Sequence, residues 1–239
     1  MGDIFLSILI PAYNEEKNLR ATLSEISGYL SARDLSCEVL IVDDGSSDST
    51  FEIASSCKEL FREMRVLKNA ENKGKGFSIK KGISEARGEN ILFMDADSST
   101  SIEQLDRFLP LSGEHDIHIA SRRVPGANVS MPLNRAVLGK IYIILASLIL
   151  RIRVKDLNCG FKIFKTPVAR DVFARQVMSG WSFDAEVLFI AGKRGYSIKE
   201  VPVEWTYGEH SKVRPLKDGI ESFIGLLRIK MNDLSGKYS

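Results

Sequence analysis

A chain of 239 residues, 44% hydrophobic and 27% charged, reads as a globular protein able to bury one large core rather than two small ones. Its formal charge of +2 lacks the strongly basic balance of a nucleic-acid binder, so no nucleic-acid partner is expected. Cys37, Cys57 and Cys159 are too scattered for a zinc site and odd in number for a disulfide framework, which suits a reducing, cytosolic setting.

Leu6–Ile10 predicts a first strand, and Glu15–Leu30 a helix with Leu19, Leu23, Ile26 and Leu30 on one face. Val39–Val42 predicts a second strand, Thr50–Phe61 a helix and Arg65–Lys68 a shorter strand. A helix over Gly76–Ala86 then leads to strands over Ile91–Met94 and Ile117–Ala120. This alternation predicts an α/β fold with a mostly parallel central sheet and helices on both faces. The longest apolar run, Ile141–Leu150, falls far short of the roughly 20 residues that span a bilayer. The first residues lack a basic segment followed by an apolar run and a cleavage site, so no secretory leader is expected.

Ligands of open α/β sheets bind where strands end at their carboxyl edge. Three such ends here are polar: Pro11-Ala12-Tyr13-Asn14-Glu15, Asp43-Asp44-Gly45-Ser46 and Asp95-Ala96-Asp97. Asp95 and Asp97 are suited to a divalent cation that grips diphosphate oxygens, because hard cations take oxygen ligands and keep positions open. Asp97 also suits a helix N-cap, whereas a calcium loop fails because Thr100 replaces its glycine. Asp43 and Asp44 could accept hydrogen bonds from a base or ribose, or simply form a turn. Asn72-Lys73-Gly74-Lys75-Gly76 could receive a phosphate at a helix N-terminus or be a solvated turn.

Taken together, these motifs and Gly74-Lys75-Gly76, in this order and spacing, resemble a family 2 glycosyltransferase of the GT-A fold. Asp156-Leu157-Asn158-Cys159-Gly160-Phe161-Lys162, Trp181-Ser182-Phe183-Asp184-Ala185-Glu186 and Glu200–Trp205 followed by Ser211-Lys212-Val213 resemble the dolichyl-phosphate glucosyltransferase and mannosyltransferase branch. The resemblance implies a single GT-A domain over residues 1–239, with a nucleotide-sugar half at 1–122 and an acceptor and membrane-facing half at 123–239. It implies donor binding by Pro11, Tyr13, Glu15, Asp43, Asp44, Lys75, Asp95, Ala96 and Asp97, with Asp95 and Asp97 holding Mg2+ or Mn2+. The implied reaction moves a hexose from UDP-glucose or GDP-mannose to a polyprenyl phosphate with inversion. Asp97, Arg122 and Lys212 would be catalytic, Lys212 stabilising the leaving diphosphate and Arg122 orienting the acceptor phosphate. Ala120-Ser121-Arg122 departs from the family's Gly-Ser-Arg, and Ser99 stands where mannosyl relatives offer an amide. Asp184 and Glu186 stand where hydroxyl-accepting relatives place a base; with an anionic acceptor, a structural role is expected.

From Ile117 to Lys155 the chain has no acid, while Arg122, Arg123, Arg135, Lys140, Arg151, Arg153 and Lys155 are basic. Arg122, Arg123 and Arg135 are therefore candidates for the acceptor phosphate. The apolar run Val137–Leu150 among these cations suits a helix lying in the headgroup region, or a core helix with solvated ends. The helix carrying Phe223, Ile224, Leu226, Leu227 and Ile229 could assist or pack on the sheet. The expected location is cytoplasmic, at the cytoplasmic face of a membrane, with the membrane surface and a membrane protein as partners. Two other functions fit these residues: transfer to a sugar hydroxyl of a glycan, requiring Asp184 or Glu186, and nucleotide-sugar binding without turnover.

Overall fold

The computed structural model describes residues 4–206 and 215–239, and within these not the side chains of 134, 135, 215–218 and 220. The first half runs β1 (Leu6–Ala12), α1 (Leu19–Ser31), β2 (Cys37–Asp43), α2 (Thr50–Ser56), β3 (Met64–Lys68), α3 (Lys75–Glu85), β4 (Asn90–Met94) and β5 (Ile117–Ser121). The second half runs β6 (Asn128–Ser130), α4 (Leu133–Leu150), β7 (Phe161–Lys165), α5 (Thr166–Arg175), α6 (Phe183–Lys193), β8 (Ile198–Pro202), β9 (Glu204–Thr206) and α7 (Pro215–Leu234).

The main sheet has seven strands in the order β3-β2-β1-β4-β7-β5-β8. All its pairings are parallel except those of β7, which runs antiparallel to both β4 and β5. A separate parallel pair joins β6 to β9. Alternation along each strand divides the core, because successive side chains point to opposite faces. Leu9, Leu40 and Phe93 pack with α3, α5, α6 and the inner sides of α4 and α7. Ile8, Ile10, Ile41 and Leu92 pack with α1 and the turns around Leu105 and Phe108 on the other face. The expected parallel sheet, covered on both sides, is therefore present.

Two boundaries differ from the periodicity. The helix expected from Glu15 begins at Leu19, because the backbone amides of Asn14, Glu15 and Glu16 donate instead to Ser46 Oγ, Thr50 Oγ1 and Asp48 Oδ2 at 2.9, 2.8 and 3.2 Å. The helix expected to reach Phe61 stops at Ser56; a separate 3-10 turn covers Lys58–Leu60, and Phe61 is extended.

α4 and α7 pack against each other, burying Ala146, Leu150, Leu226 and Ile229. Their outer sides leave Val137, Ile141, Ile144, Leu148, Phe223, Ile224, Leu227 and Met231 exposed. Neither is a spanning segment: among the described residues, no helix is long and apolar enough to cross a membrane.

Candidate functional site

β1 ends at Ala12 opposite Asp43 at the end of β2, and this register brings two of the predicted loops together. Pro11 is buried, Tyr13 lies 42% exposed above it, and Asn14 adopts a left-handed φ of 53°. Asn14 Oδ1 accepts from Ser47 N at 2.9 Å, and Glu15 Oε2 from Asn18 Nδ2 at 2.8 Å, so the loop is held open by its own polar groups. Gly45 is required where it stands: its φ is +70°, and a Cβ would lie 2.5 Å from the Glu71 carbonyl carbon.

The two adjacent aspartates have different jobs. Asp44 Oδ1 accepts from Asn69 Nδ2 at 2.8 Å and Lys73 N at 3.0 Å, and its Oδ2 from Gly74 N at 2.8 Å. Asp44 thus shapes the 72–76 loop. Asp43 is fully buried; among the described residues its Oδ1 accepts from Ser46 N at 3.3 Å and its Oδ2 has no hydrogen-bond partner. A buried acceptor without a donor is costly, and a base or ribose donor would satisfy it.

Asp95 follows β4 at the centre of the sheet edge. Its Oδ1 meets Lys75 Nζ at 2.5 Å, and its backbone amide donates to Gly160 O at 3.1 Å. Gly160 forms the carboxylate's seat, since a Cβ there would stand 1.9 Å from Asp95 Oδ2. Ala96 is buried, with its carbonyl accepting from Thr22 Oγ1 at 2.8 Å, which turns Asp97 outward. Asp97 Oδ1 accepts from Ser99 N at 3.0 Å, a local turn rather than a helix cap. Asp97 faces solvent, yet the protein packed around it and, after that, the Asp95 charge beside it raise its carboxyl above the usual range. Burial alone would lower Lys75, but Asp95 and Asp184 outweigh it and hold the ammonium charged.

Two carboxylates at one strand end, Asp95 seated against Gly160, fit a divalent ion that would grip diphosphate oxygens. Among the described residues no group of three or more His, Cys, Asp or Glu side chains that could hold a metal ion is gathered, and Asp95 and Asp97 stand at the strand end as a pair.

Arg122 leaves the end of β5. Asp156 clamps it by Nε to Oδ2 at 2.7 Å, Nη2 to Oδ1 at 2.9 Å and the backbone amide to Oδ2 at 2.9 Å. Burial opposes the charge, yet Asp156 keeps the guanidinium strongly protonated, and Asp95 contributes to the same field. The Trp205 ring centroid lies 5.1 Å from the Arg122 guanidinium carbon. Arg122 and Arg123 line a groove of about 340 Å³ whose other walls are Val129, Met131, Leu133 and Ala136. Arg123 reaches across α4: a Cβ on Gly139 would fall 2.2 Å from its Nη2. The Arg135 side chain and Lys212 lie outside the described residues.

Asp184 and Glu186 are both buried at the start of α6. Asp184 Oδ1 meets the fully buried Lys162 Nζ at 2.5 Å, and Lys162 also donates to Cys159 O at 2.7 Å. Glu186 accepts from Val177 N, Met178 N and Tyr238 Oη at 3.1, 2.8 and 2.6 Å, so it fastens a loop and the carboxyl-terminal turn. Sequence reasoning gave no role to Gly160, Lys162, Asp156 or Asn69; the first three lie in a motif whose only signal was its resemblance.

The glycosyl transferase family 2 model matches residues 7–173. The chain is 33% identical to a dolichyl-phosphate beta-glucosyltransferase of Dictyostelium discoideum, covering 99% of this chain and 77% of that one. It is 32% identical to the Homo sapiens dolichyl-phosphate beta-glucosyltransferase, covering 98% and 77%. Among solved structures it resembles mannosyl-3-phosphoglycerate synthase from Rubrobacter xylanophilus, with a TM-score of 0.74, 18% identity and coverage of 98% and 75%. It also resembles glucosyl-3-phosphoglycerate synthase from Mycobacterium tuberculosis in complex with Mn2+, UDP-glucose and phosphoglyceric acid, with a TM-score of 0.69, 16% identity and coverage of 95% and 80%. With the sheet order above and a family model that spans most of the chain, this protein is a glycosyltransferase of the GT-A fold and belongs to glycosyl transferase family 2.

Proposed function

We propose that the chain transfers glucose from UDP-glucose to a polyprenyl phosphate, with inversion, at the cytoplasmic face of a membrane. The observation that carries this reading is the groove beside the Asp95 edge, with Arg122 and Arg123 for a phosphate and Val129, Met131, Leu133 and Ala136 for a hydrocarbon chain. A sugar hydroxyl would need neither the paired guanidinium groups nor the apolar walls. The relatives named for dolichyl phosphate and beta-glucosyl transfer support the choice of acceptor and of glucose over mannose. The outward apolar sides of α4 and α7 supply a surface that would rest in lipid headgroups.

In this reading Asp43 accepts from the nucleoside, Tyr13 and Glu15 border it, and Asp44 works indirectly by holding the 72–76 loop. Magnesium or manganese held by Asp95 and Asp97 would supply positive charge to the departing diphosphate. Lys75 adds a fixed ammonium on the same side, with Lys212 as a further cation by resemblance. An oxygen of the acceptor phosphate forms the new bond to the anomeric carbon as the bond to the diphosphate breaks, and the electron pair leaves with UDP. The phosphate is already anionic, so no proton need be removed, and positioning with charge stabilisation carries the barrier.

The direct test is incubation of the purified protein with Mg2+, polyprenyl phosphate and radiolabelled UDP-glucose or GDP-mannose, followed by counting of the organic phase. Label is expected from UDP-glucose; none from either donor refutes the reading. Because Asp184 is tied to Lys162, its role is tested by removing both charges together. Asp184→Asn with Lys162→Met should keep at least about a tenth of the turnover, whereas Asp97→Asn should lose about 100-fold or more. A folded, donor-binding double variant that makes no lipid product would mean that Asp184 is a base after all.

A further inference from the structure

Trp181 is 54% exposed although it sits on one of the most firmly held loops near the site. Glu186 accepts two of that loop's amides, from Val177 and Met178. Ser179 O accepts from Gly76 N at 2.7 Å, and Gln176 Nε2 donates to Met178 O at 2.7 Å. On the far side, α7 closes on Ser182 so tightly that a Cβ on Gly225 would stand 1.9 Å from its Oγ. A large apolar ring left in water on a fixed backbone is a preorganised surface in want of an occupant.

The position of the ring identifies that occupant. Its centroid lies 5.7 Å from Lys75 Nζ, the group bound to Asp95. Asp44 holds one side of the 72–76 loop through Gly74 N, while Ser179 and Gly180 press on Gly74 from the other. Trp181 is therefore across that loop from the nucleoside end of the site, past the diphosphate position. Beyond the diphosphate of a nucleotide sugar lies the hexose, whose ring presents a face of C–H groups that an aromatic surface covers well.

We propose that Trp181 is the platform on which the donor's hexose rests, so that it discriminates the sugar-bearing nucleotide from the bare one. This rests on the reading of the chain as a UDP-glucose-dependent enzyme. A preformed platform adds binding without an ordering cost, and stacking of this kind is worth about fivefold to tenfold in affinity.

The test is calorimetric titration of wild type, Trp181→Ala and Trp181→Phe with UDP and with UDP-glucose in Mg2+, beside a measurement of KM for both substrates. Trp181→Ala should weaken UDP-glucose by about fivefold to tenfold and leave UDP within about twofold, and Trp181→Phe should recover most of the loss. The chain has two tryptophans, so the fluorescence change given by UDP-glucose beyond that given by UDP should vanish in Trp181→Phe. Equal weakening of both ligands overturns the proposal, as does a loss confined to the polyprenyl phosphate KM or to retention on lipid vesicles. Wild-type protein that binds UDP but not UDP-glucose overturns it too. Wild-type protein that discriminates through Trp181 yet makes no lipid product leaves the platform standing and refutes only the acceptor.

Discussion

Asp43 and Asp44 stand side by side in sequence and divide their labour completely. The stability of the fold and the binding of the nucleotide should therefore separate between them. Asp44→Asn removes acceptors from Lys73 N, Gly74 N or Asn69 and should cost about 1–3 kcal/mol by chemical denaturation. Asp43→Asn replaces a buried carboxyl group that has an oxygen unpartnered among the described residues, so it should leave the denaturation midpoint unchanged or raised while weakening UDP. The opposite pairing of effects would reverse the assignment. Gly160→Ala should behave as an active-site variant although it carries no functional group, because its Cβ would displace the Asp95 carboxylate. Metal-dependent transfer should fall about 10-fold to 100-fold while stability without UDP changes little, which activity titrated against Mg2+ and thermal melts would read. The acids at the strand ends were legible because their types announce chemistry. Gly160 was not, because its contribution is the space it leaves free.

At the scale of elements, the parallel half of the sheet is visible in apolar runs such as Val39–Val42 and Ile91–Met94, which read as strands buried on both faces. β7 was hidden for a physical reason. Its sequence Phe161-Lys162-Ile163-Phe164-Lys165 places a lysine where a buried strand needs an apolar side chain, and Asp184, from α6, supplies the opposite charge that, with the Cys159 carbonyl, makes that lysine tolerable. The β6 and β9 pair was equally silent, since three-residue strands carry no period. α4 was legible as a helix but not as a surface, because a run apolar all round suits a core as well as an interface. Its exposed Ile144 and Leu148 now give a test. Ile144→Glu with Leu148→Glu should reduce co-sedimentation with vesicles rich in phosphatidylserine by about tenfold without lowering the melting temperature. Unchanged co-sedimentation would remove α4 from the membrane-facing surface.

For the whole molecule, acid should be the weak flank. Burial by itself would raise Glu38, but hydrogen bonds from Ser7, Arg87 and Arg65 outweigh it and hold the carboxyl below its ordinary value of 4.5. Asp156 follows the same logic: burial opposes ionisation, and the Arg122 charge and hydrogen bonds keep it below 3.8. Both folded values are depressed, so below the ordinary values the unfolded chain takes up protons that the native state refuses. Their stabilisation is full above about pH 5 and is lost as pH falls through the depressed folded values. Melting temperatures should accordingly drop steeply below about pH 4.5, and Glu38→Gln should flatten that slope while lowering stability at neutral pH. An unaltered slope would mean that Glu38 is not among the groups responsible.

The antiparallel strand at the centre of the sheet also bears on the order of assembly. β4 pairs with β7, so that Asn90 lies opposite Lys165, and Asp95 gains its glycine seat only through that pairing. The intervening chain must loop out and return before the seat exists, and contacts between such distant segments are entropically late. Until then, β4 presents an unpaired apolar edge. On the ribosome, a nascent chain could form the β1-β2-β3 layer and display the whole Asp95-Ala96-Asp97 segment well before the donor site has a floor. Donor competence thus cannot precede the emergence of residues 160–165, far downstream of the acids that define it.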